Sequence, residues 1–360
     1  MPAAARVETI SIDTQVFVAT GYGFTGKSFQ SLKSHLASGR LKLVMTDITV
    51  REVHARIKLS VAEELRSHRE FLNKAKPKAL FNSSIPEVRA LVRRFDPNVV
   101  AKDLCDQFDS FLKDAKVEIV ATKDLTVGDV FDKYFAGTAP FGDTETKKHE
   151  FPDAFCVKAL SEWAQQKGLK MFVVSGDESF WEACSQSKQL VAKKHLSEVL
   201  DDVAAWDDPA LASFVHTETK KRISEIAKAA KEQFQDRYYF VENMDGEAQV
   251  EVETINPTQD PEIIEIQKHG ASLVVTFDAT YSAHLSYDDP ATASYDEGDL
   301  VYIQHREEDV VDRDELLTVE VKVSFDDMDP QSFDITEIDL IEPDDSFGIE
   351  TEDDYGWPYK

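Results

Sequence analysis

The chain has 360 residues, 42% of them hydrophobic, which is enough to build two domains that each bury their own core. No apolar run reaches the roughly 18 to 20 residues of a membrane-spanning helix, and the N-terminus lacks the basic and apolar regions of a secretion signal. We therefore expect a cytoplasmic protein. Cys105, Cys156 and Cys184 are too widely spaced for a disulfide framework or a zinc knuckle.

The net charge of −28 is unevenly distributed along the chain. Residues 1–200 contain 29 of the 40 Lys and Arg residues and 26 of the 68 Asp and Glu residues, so this part carries +3 and residues 201–360 carry −31. The total charge therefore does not exclude a nucleic-acid partner for the first part. The stretch from Arg51 to Arg94 is locally basic, which indicates either solvated helix faces or a phosphate-contacting surface.

In residues 1–200, short apolar runs alternate with amphipathic segments, which is typical of an α/β fold with a parallel sheet covered by helices. Four strands are predicted, at Val7–Ile12, Leu41–Met45, Val117–Val120 and Met171–Val174. Helices are predicted at Thr49–Lys74, Ile85–Asp114 and Pro152–Lys167, the last with proline at its first position.

Beyond residue 200 the pattern changes. Pro209–Asp236 has helical periodicity, so residues 201–236 are predicted to be a connecting helix. From Tyr238 onward, apolar and polar residues alternate between turns, which predicts an acidic antiparallel β domain over residues 237–343 with one wet face. Residues 344–360 are rich in acids and poor in aliphatic residues, and we expect a flexible or loosely docked tail.

Three acids stand where a parallel sheet presents functional residues. Asp13 follows the first strand, Asp177 follows the fourth after a Ser-Gly turn, and Glu52 lies in the helix after the second. Asp153 completes the set from the second position of a predicted helix. Several carboxylates in one place could hold the hard divalent cation that phosphodiester hydrolysis requires. Each residue also has an ordinary interpretation, as a turn or helix cap, a partner of a helix dipole or a surface acid.

In this order the four acids resemble the pattern of a PIN-domain nuclease. The strongest resemblance is to larger bacterial PIN-like proteins with a Lys-Lys-x-Glu-Phe-Pro-Asp-Ala signature. The matching residues here are Lys147, Lys148, Glu150, Phe151, Pro152, Asp153 and Ala154. The resemblance covers about residues 7–190. Two departures are Gln15, where asparagine is more common, and a long region after Glu52, which implies an inserted helical lobe at about 55–115.

The resemblance implies a three-layer α/β/α domain with a central parallel sheet and a metal-dependent endonuclease that acts on RNA, with single-stranded DNA as a further substrate class. It implies that Asp13, Glu52, Asp153 and Asp177 are catalytic ligands of Mg²⁺ or Mn²⁺, with Glu150 as an outer member. Toxin-like or defence roles occur among such proteins. Five basic residues are candidates for nucleic-acid binding: Arg89, Arg93, Arg94, Lys147 and Lys148.

Other functions remain open from the residues alone. Gly21–Ser28 matches the Walker spacing G-x-x-x-x-G-K-S, although no separate strand precedes it. An aspartate-nucleophile phosphatase would need a second aspartate at the position of Gln15. A non-catalytic binding or regulatory protein, with solvated acids, is the third alternative. The acidic region beyond about residue 237 could bind a regulatory protein or restrain the nuclease by competing with nucleic acid.

Overall fold

The computed structural model describes residues 6–22, 24, 26–74, 85, 92–141, 150–242, 246–288, 294–296, 301–303, 306–342 and 346–349. The chain divides into two compact units, Met1–Val199 and Leu200–Lys360. No helix among the described residues is long and apolar enough to cross a membrane.

The first unit is built on a five-stranded parallel sheet with the order β3-β2-β1-β4-β5. The strands are β1 (Thr9–Ile12), β2 (Lys42–Thr46), β3 (Glu118–Val120), β4 (Met171–Val174) and β5 (Leu190–Lys193). The first, second and fourth of these are almost entirely buried, which explains their continuous apolar sequences. The prediction of four strands was wrong by one. The edge strand β5 is only four residues long, and its apolar run Leu190–Ala192 is too short to identify a strand by periodicity.

Seven helices are described in the first unit. They are α1 (Thr14–Ala19), α2 (Lys27–Ala37), α3 (Asp47–Lys74), α4 (Pro97–Asp114), α5 (Val127–Ala136), α6 (Phe151–Lys167) and α7 (Glu178–Ser185). An eighth helix, α8 (Leu196–Ala204), contains the boundary between the two units. The predicted α/β fold with a central parallel sheet is confirmed.

Local sequence explains where several of these helices begin and end. The Asp96 side chain accepts a hydrogen bond from the backbone N–H of Asn98 at 2.9 Å, and Pro97 occupies the first turn, so α4 begins there and not at Ile85 as predicted. Most of residues 85–91 lie outside the described residues. Helix α6 begins at Phe151, one residue before the predicted start, and ends at Gly168, whose φ of +66° suits glycine.

Helices α1, α2 and α4 pack around an aromatic cluster beside the sheet. Its members are Phe17, Phe24, Phe29, Phe108 and Phe111, all buried and with ring centroids 5.0–6.4 Å apart. Aromatic side chains bury large apolar areas, and this burial stabilises the packing of short helices on a sheet. The cluster therefore fixes α1, which follows β1 directly, in place.

The second unit contains α9 (Pro209–Lys221) and α10 (Ile223–Gln235). The prediction of one helix over Pro209–Asp236 was wrong, because Arg222 leaves the helical conformation with φ −105° and ψ 11°. Its guanidinium lies 4.7 Å from the centroid of the Phe333 ring and donates to the Phe333 carbonyl oxygen at 3.0 Å. These long-range contacts hold the break.

The main sheet of the second unit has the order β13-β12-β9-β7-β6-β14, with β8 also paired to β9. Its strands are β6 (Tyr238–Val241), β7 (Gly246–Pro257), β8 (Glu262–Gln267), β9 (Gly270–Asp288), β12 (Arg306–Ser324), β13 (Asp334–Glu342) and β14 (Ser346–Ile349). Strands β10 (Ser294–Asp296) and β11 (Val301–Ile303) form a separate hairpin. The predicted antiparallel sheet is confirmed for most pairs. In β9, buried residues alternate with half-exposed or exposed ones along most of the strand.

The last strand departs from the prediction of a flexible tail over residues 344–360. Strand β14 pairs in parallel with β6, and Ile349 is buried in the core of this unit. The apolar side chain of Ile349 packs into the core, although the composition of residues 344–360 as a whole is acidic. Residues 350–360 lie outside the described residues.

Candidate active site

The candidate site begins at the point where the chain leaves two neighbouring central strands. Strands β1 and β4 are paired with Ile12 opposite Val174, and the Asp13 N–H donates to the Val174 carbonyl oxygen at 2.9 Å. After β1 the chain continues to β2, toward one edge of the sheet, and after β4 it continues to β5, toward the other edge. Such a switch point between neighbouring strands leaves a crevice at their carboxyl ends. The sheet topology therefore brings Asp13 and the Ser175–Asp177 turn to one edge.

A serine joins the two halves of this crevice. The Ser175 hydroxyl donates to Asp13 Oδ2 at 2.9 Å, and Ser175 Oγ accepts from the Asp177 N–H at 3.1 Å. Both Asp13 and Ser175 are buried. The Asp13 carboxylate is thus held at one oxygen by a buried donor, which orients its other oxygen.

Glu52 reaches the same crevice from α3, the helix that follows β2. The Thr14 hydroxyl donates to Glu52 Oε2 at 3.0 Å, so the residue directly after Asp13 positions the second acid. Helix α3 begins at Asp47, directly after β2, so Glu52 lies in its second turn. This hydrogen bond ties α1 to α3 next to Asp13.

Asp153 lies in the first turn of α6, and Asp177 lies at the N-cap of α7. Asp177 Oδ1 accepts from the Phe180 N–H at 2.9 Å, so this residue does cap its helix. The Ser179 hydroxyl lies within hydrogen-bonding distance of Asp177 Oδ1, at 2.6 Å, and of Glu150 Oε2, at 3.3 Å. Glu150 therefore neighbours the four acids.

The electrostatics of this group reflect crowded negative charge. Burial raises the pKa of Asp153 to about 8, with further contributions from the charges of Asp13, Glu52, Glu150 and Asp177. Burial also raises the pKa of Asp13, against the opposing effect of the Ser175 hydrogen bond.

The other two acids differ in the sign of their shift. Burial raises the pKa of Glu52, assisted by the Asp13 charge and opposed by Thr14 and Arg56. For Asp177, burial acts to raise the pKa, but hydrogen bonds from Ser179 and from the Phe180 N–H outweigh it and lower the pKa. Asp177 therefore keeps its charge most readily, and Asp153 loses it first.

All four acids line one open cleft of about 740 Å³. Its other lining residues come from α1 and α3: Thr14, Gln15, Val18, Ala19, Ala55, Arg56, Leu59, Ser60 and Glu63. An oxygen-only donor set with raised carboxyl pKa values fits a hard divalent cation such as Mg²⁺ or Mn²⁺, whose charge would relieve the mutual repulsion. Within the described ranges, no three His, Cys, Asp or Glu side chains are already grouped closely enough to ligate an ion.

The predicted nucleic-acid-binding residues have different positions. Arg93 and Arg94 are exposed and do not line the cleft. Arg94 donates to Asn73 at 3.5 Å, and the Arg93 guanidinium lies 5.7 Å from the Phe95 ring centroid. The other three candidates, Arg89, Lys147 and Lys148, lie outside the described residues.

The Walker-like segment Gly21–Ser28 has an unsuitable context for a phosphate-binding loop. Helix α1 precedes it, whereas such a loop follows a strand. Lys27 does begin helix α2 after Gly26. Gly23 and Thr25 lie outside the described residues. The strand–loop–helix arrangement of the P-loop alternative is therefore not found in the part of the chain that the structure describes.

Several residues of the site were not singled out from the sequence. Thr14 and Ser175 each donate to one acid, Ser179 bridges two, and Arg56 lines the cleft. Ser175 directly follows β4 and Thr14 follows β1 after Asp13, and a hydroxyl residue at a strand end is a usable sequence signal. Arg56 carries a weaker one, since it lies four residues after Glu52 and so on the same helix face.

A family model described as a PIN domain matches residues 10–181, which include all four acids of the cleft. No curated protein and no solved structure matches the chain.

Proposed function

Because residues 10–181 belong to the PIN-domain family of nucleases, we propose that this chain is a metal-dependent endonuclease that hydrolyses phosphodiester bonds in RNA. The observation that carries the proposal is the meeting of four carboxylates, from two strand ends and two helices, in one cleft. Single-stranded DNA is the second substrate class to be tested.

In this proposal Asp13, Glu52, Asp153 and Asp177 hold one or two Mg²⁺ or Mn²⁺ ions. A divalent cation supplies Lewis acidity that activates water for attack and offsets the charge that develops on the phosphoryl oxygens. The chain's own hydroxyl groups orient the acids: Ser175 at Asp13, Thr14 at Glu52 and Ser179 at Asp177. Hydrogen bonds to the ligands of a metal ion orient those ligands and raise the affinity of the site for the ion.

The charge of the cleft explains why a cation is needed. Four carboxylates and the neighbouring Glu150 would repel a phosphate group. With a divalent ion in place the same acids become an attachment point for a polyanion. The proposal therefore predicts that RNA binding to the cleft depends on Mn²⁺ or Mg²⁺.

The test is cleavage of end-labelled single-stranded RNA and DNA by the purified full chain, with Mn²⁺, Mg²⁺ or EDTA. We expect cleavage of RNA that requires the metal, and its loss in Asp13→Asn, Asp153→Asn and Asp177→Asn. Glu178→Gln is the matched control, since Glu178 is exposed, adjacent to Asp177 and outside the cleft lining. Retained cleavage in any two of the three aspartate variants would reject these residues as the ligand set.

The alternatives give different results in the same preparations. A P-loop protein would bind ATP or GTP and lose that binding in Lys27→Ala. A non-catalytic regulatory protein would show no cleavage and no divalent-ion affinity better than about millimolar, a range in which weak protein sites for such ions lie.

A further inference from the structure

The cleft extends well past the four acids, and that extension has its own chemistry. Ala55, Arg56, Leu59, Ser60 and Glu63 follow Glu52 along one face of α3, at the spacing of three and four residues that aligns side chains on a helix. From Glu52 to Glu63 this face is about 16 Å long. The opposite wall is formed by Gln15, Val18 and Ala19 on α1.

Two hydrogen bonds hold these walls at a defined separation. The Thr14 hydroxyl donates to Glu52 beside the acids, and the Tyr22 hydroxyl lies 3.4 Å from Ser60 Oγ at the far end. Tyr22 is buried, with a left-handed backbone at φ 59°. A binding channel is most selective when its width is set before the ligand arrives.

The lining of this channel combines one cation with two exposed aliphatic side chains. Arg56 is the one Lys or Arg among the described residues that line the cleft, and its positive charge lies close enough to Glu52 to act on the pKa of that acid. Val18 is 40% exposed and Leu59 is 47% exposed, and both line the cleft. Apolar side chains open to water beside an acid cluster have no role in holding a metal.

We infer that the channel between α1 and α3 binds the nucleotide next to the scissile phosphate of a single-stranded nucleic acid. Arg56 contacts its phosphate, and Val18 and Leu59 cover the faces of its unpaired base. This inference rests on the proposed nuclease function and adds the residues that hold the substrate beside the acids.

Three features favour this occupant. The channel is continuous with the acids, so a polymer that places one phosphate there must pass along it. Arg56 lies one helical turn, about 6 Å, beyond Glu52, and supplies the charge complement to a second phosphate. Apolar side chains pack against base faces only when the base is unpaired, as in a loop or single strand.

The test measures cleavage of a labelled 12-residue oligouridylate and of an abasic oligomer of the same length by the full chain with Mn²⁺. Arg56→Gln is expected to raise KM about tenfold at unchanged kcat. It should also reduce by about one the salt slope, which is the slope of the logarithm of the binding constant against the logarithm of the salt concentration. Arg56→Lys should recover part of the loss. The control is Lys58→Gln, which removes an equal charge from an exposed site on α3 outside the channel.

The aliphatic pair is tested with the same two oligomers. The double variant Val18→Ser, Leu59→Ser should lose the preference for oligouridylate over the abasic chain, whereas Val99→Ser, at an exposed site on α4, should keep it. Binding is followed separately by fluorescence anisotropy with all four acids intact and Ca²⁺ in place of Mn²⁺, and circular dichroism checks folding.

The outcomes separate the two proposals. Cleavage by the unaltered chain with equal KM and salt slope in Arg56→Gln and Lys58→Gln would overturn the channel and leave the nuclease intact. Equal or faster cleavage of a perfect duplex would also overturn it. Absence of both cleavage and binding in the unaltered chain would overturn both.

Discussion

At the residue scale, the carboxyl group of Asp153 shows how burial and neighbouring negative charges affect an acid of the site. Burial and four neighbouring acids raise its pKa from an ordinary value near 3.8 to about 8. The folded protein without a divalent ion therefore favours a protonated Asp153, whereas the unfolded chain ionises this group at ordinary pH. Folding and ionisation of the cleft are linked through this difference.

The first prediction follows from the sign of that linkage. Because the pKa is raised in the folded state, the folded state binds more protons than the unfolded state between about pH 4 and 8. The contribution of Asp153 to stability is full below the unfolded pKa and is lost as pH rises toward 8. In EDTA, the free energy of unfolding should therefore fall between pH 6 and 8.5, and it should fall less in Asp153→Asn.

Urea denaturation at several pH values measures this difference. Comparison with Asp153→Asn removes the contribution of histidines that titrate in the same range. Addition of Mn²⁺ should stabilise the unaltered chain more at pH 8 than at pH 6, since the acids must lose their protons to bind it. Identical pH profiles for the two proteins would contradict the raised pKa.

The second prediction concerns Ser175, the donor to Asp13. Ser175→Ala leaves a buried carboxylate without its side-chain partner and should lower the free energy of unfolding by about 1–3 kcal/mol at pH 7. Ser185→Ala is the control, because Ser185 is exposed and donates only to the carbonyl of its own helix, at Trp181.

The Ser175 variant should also bind Mn²⁺ more weakly, since outer hydrogen bonds orient metal ligands. Isothermal titration calorimetry gives the affinity directly. A stability loss in Ser175→Ala no larger than in Ser185→Ala would show that water replaces the hydroxyl at Asp13.

At the scale of elements, Asp177 has two separable roles. It caps α7 through Oδ1, and it is a proposed ligand in the cleft. An amide oxygen can still cap a helix, but it carries no charge. The third prediction is that Asp177→Asn abolishes cleavage with little loss of stability, whereas Asp177→Ala abolishes cleavage and costs about 1 kcal/mol.

Thermal and urea denaturation of the two variants distinguish capping from ligation. Asp208→Ala provides the scale for the capping cost alone, because Asp208 caps α9 by the same type of bond, from the Leu211 N–H at 2.9 Å. If Asp177→Asn is as unstable as Asp177→Ala, the charge and not the cap supports α7.

At the scale of the whole molecule, the charge of the second unit calls for an explanation. Residues 201–360 carry −31, and part of this charge lies on the outer face of the sheet formed by β7, β9 and β12. Glu247 and Glu308 flank Ser286 on that face, and both are exposed. An attached polyanion would compete with nucleic acid for the first unit.

The fourth prediction tests this restraint in the full chain. Removal of residues after Asp236 would separate α10 from its sheet, because Phe234 is buried against Tyr239 and Tyr281. Neutralisation of Glu247, Glu251 and Glu308 to glutamine avoids that damage. We expect faster cleavage of generic RNA at low salt, with the difference closing as salt screens the charge.

Neutralisation of Glu64, Glu70 and Asp103, exposed acids of the first unit outside the cleft lining, measures the effect of equal charge removal elsewhere. If the variant of the second unit cleaves no faster than the unaltered chain, the acidic sheet does not restrain the nuclease. Its acids would then be explained by solubility or by a basic protein partner.

The amino-acid sequence by itself determined the local features of this protein. Apolar runs such as Met171–Val174 and helix starts such as Pro152 depend on neighbours along the chain, so the sequence pattern predicts these elements. The short edge strand β5 and the break at Arg222 were not predicted, because strand pairing and long-range contacts produce them.

Only the tertiary structure decided which of these residues meet. Asp13 and Asp177 are 164 positions apart in the chain, and they converge because β1 pairs with β4 at the switch point of the sheet. The same packing places Val18 and Leu59, which look like ordinary surface residues in the sequence, on facing walls of one cleft. Such proximity arises from the packing of whole elements and leaves no local periodicity, so local sequence patterns do not contain it.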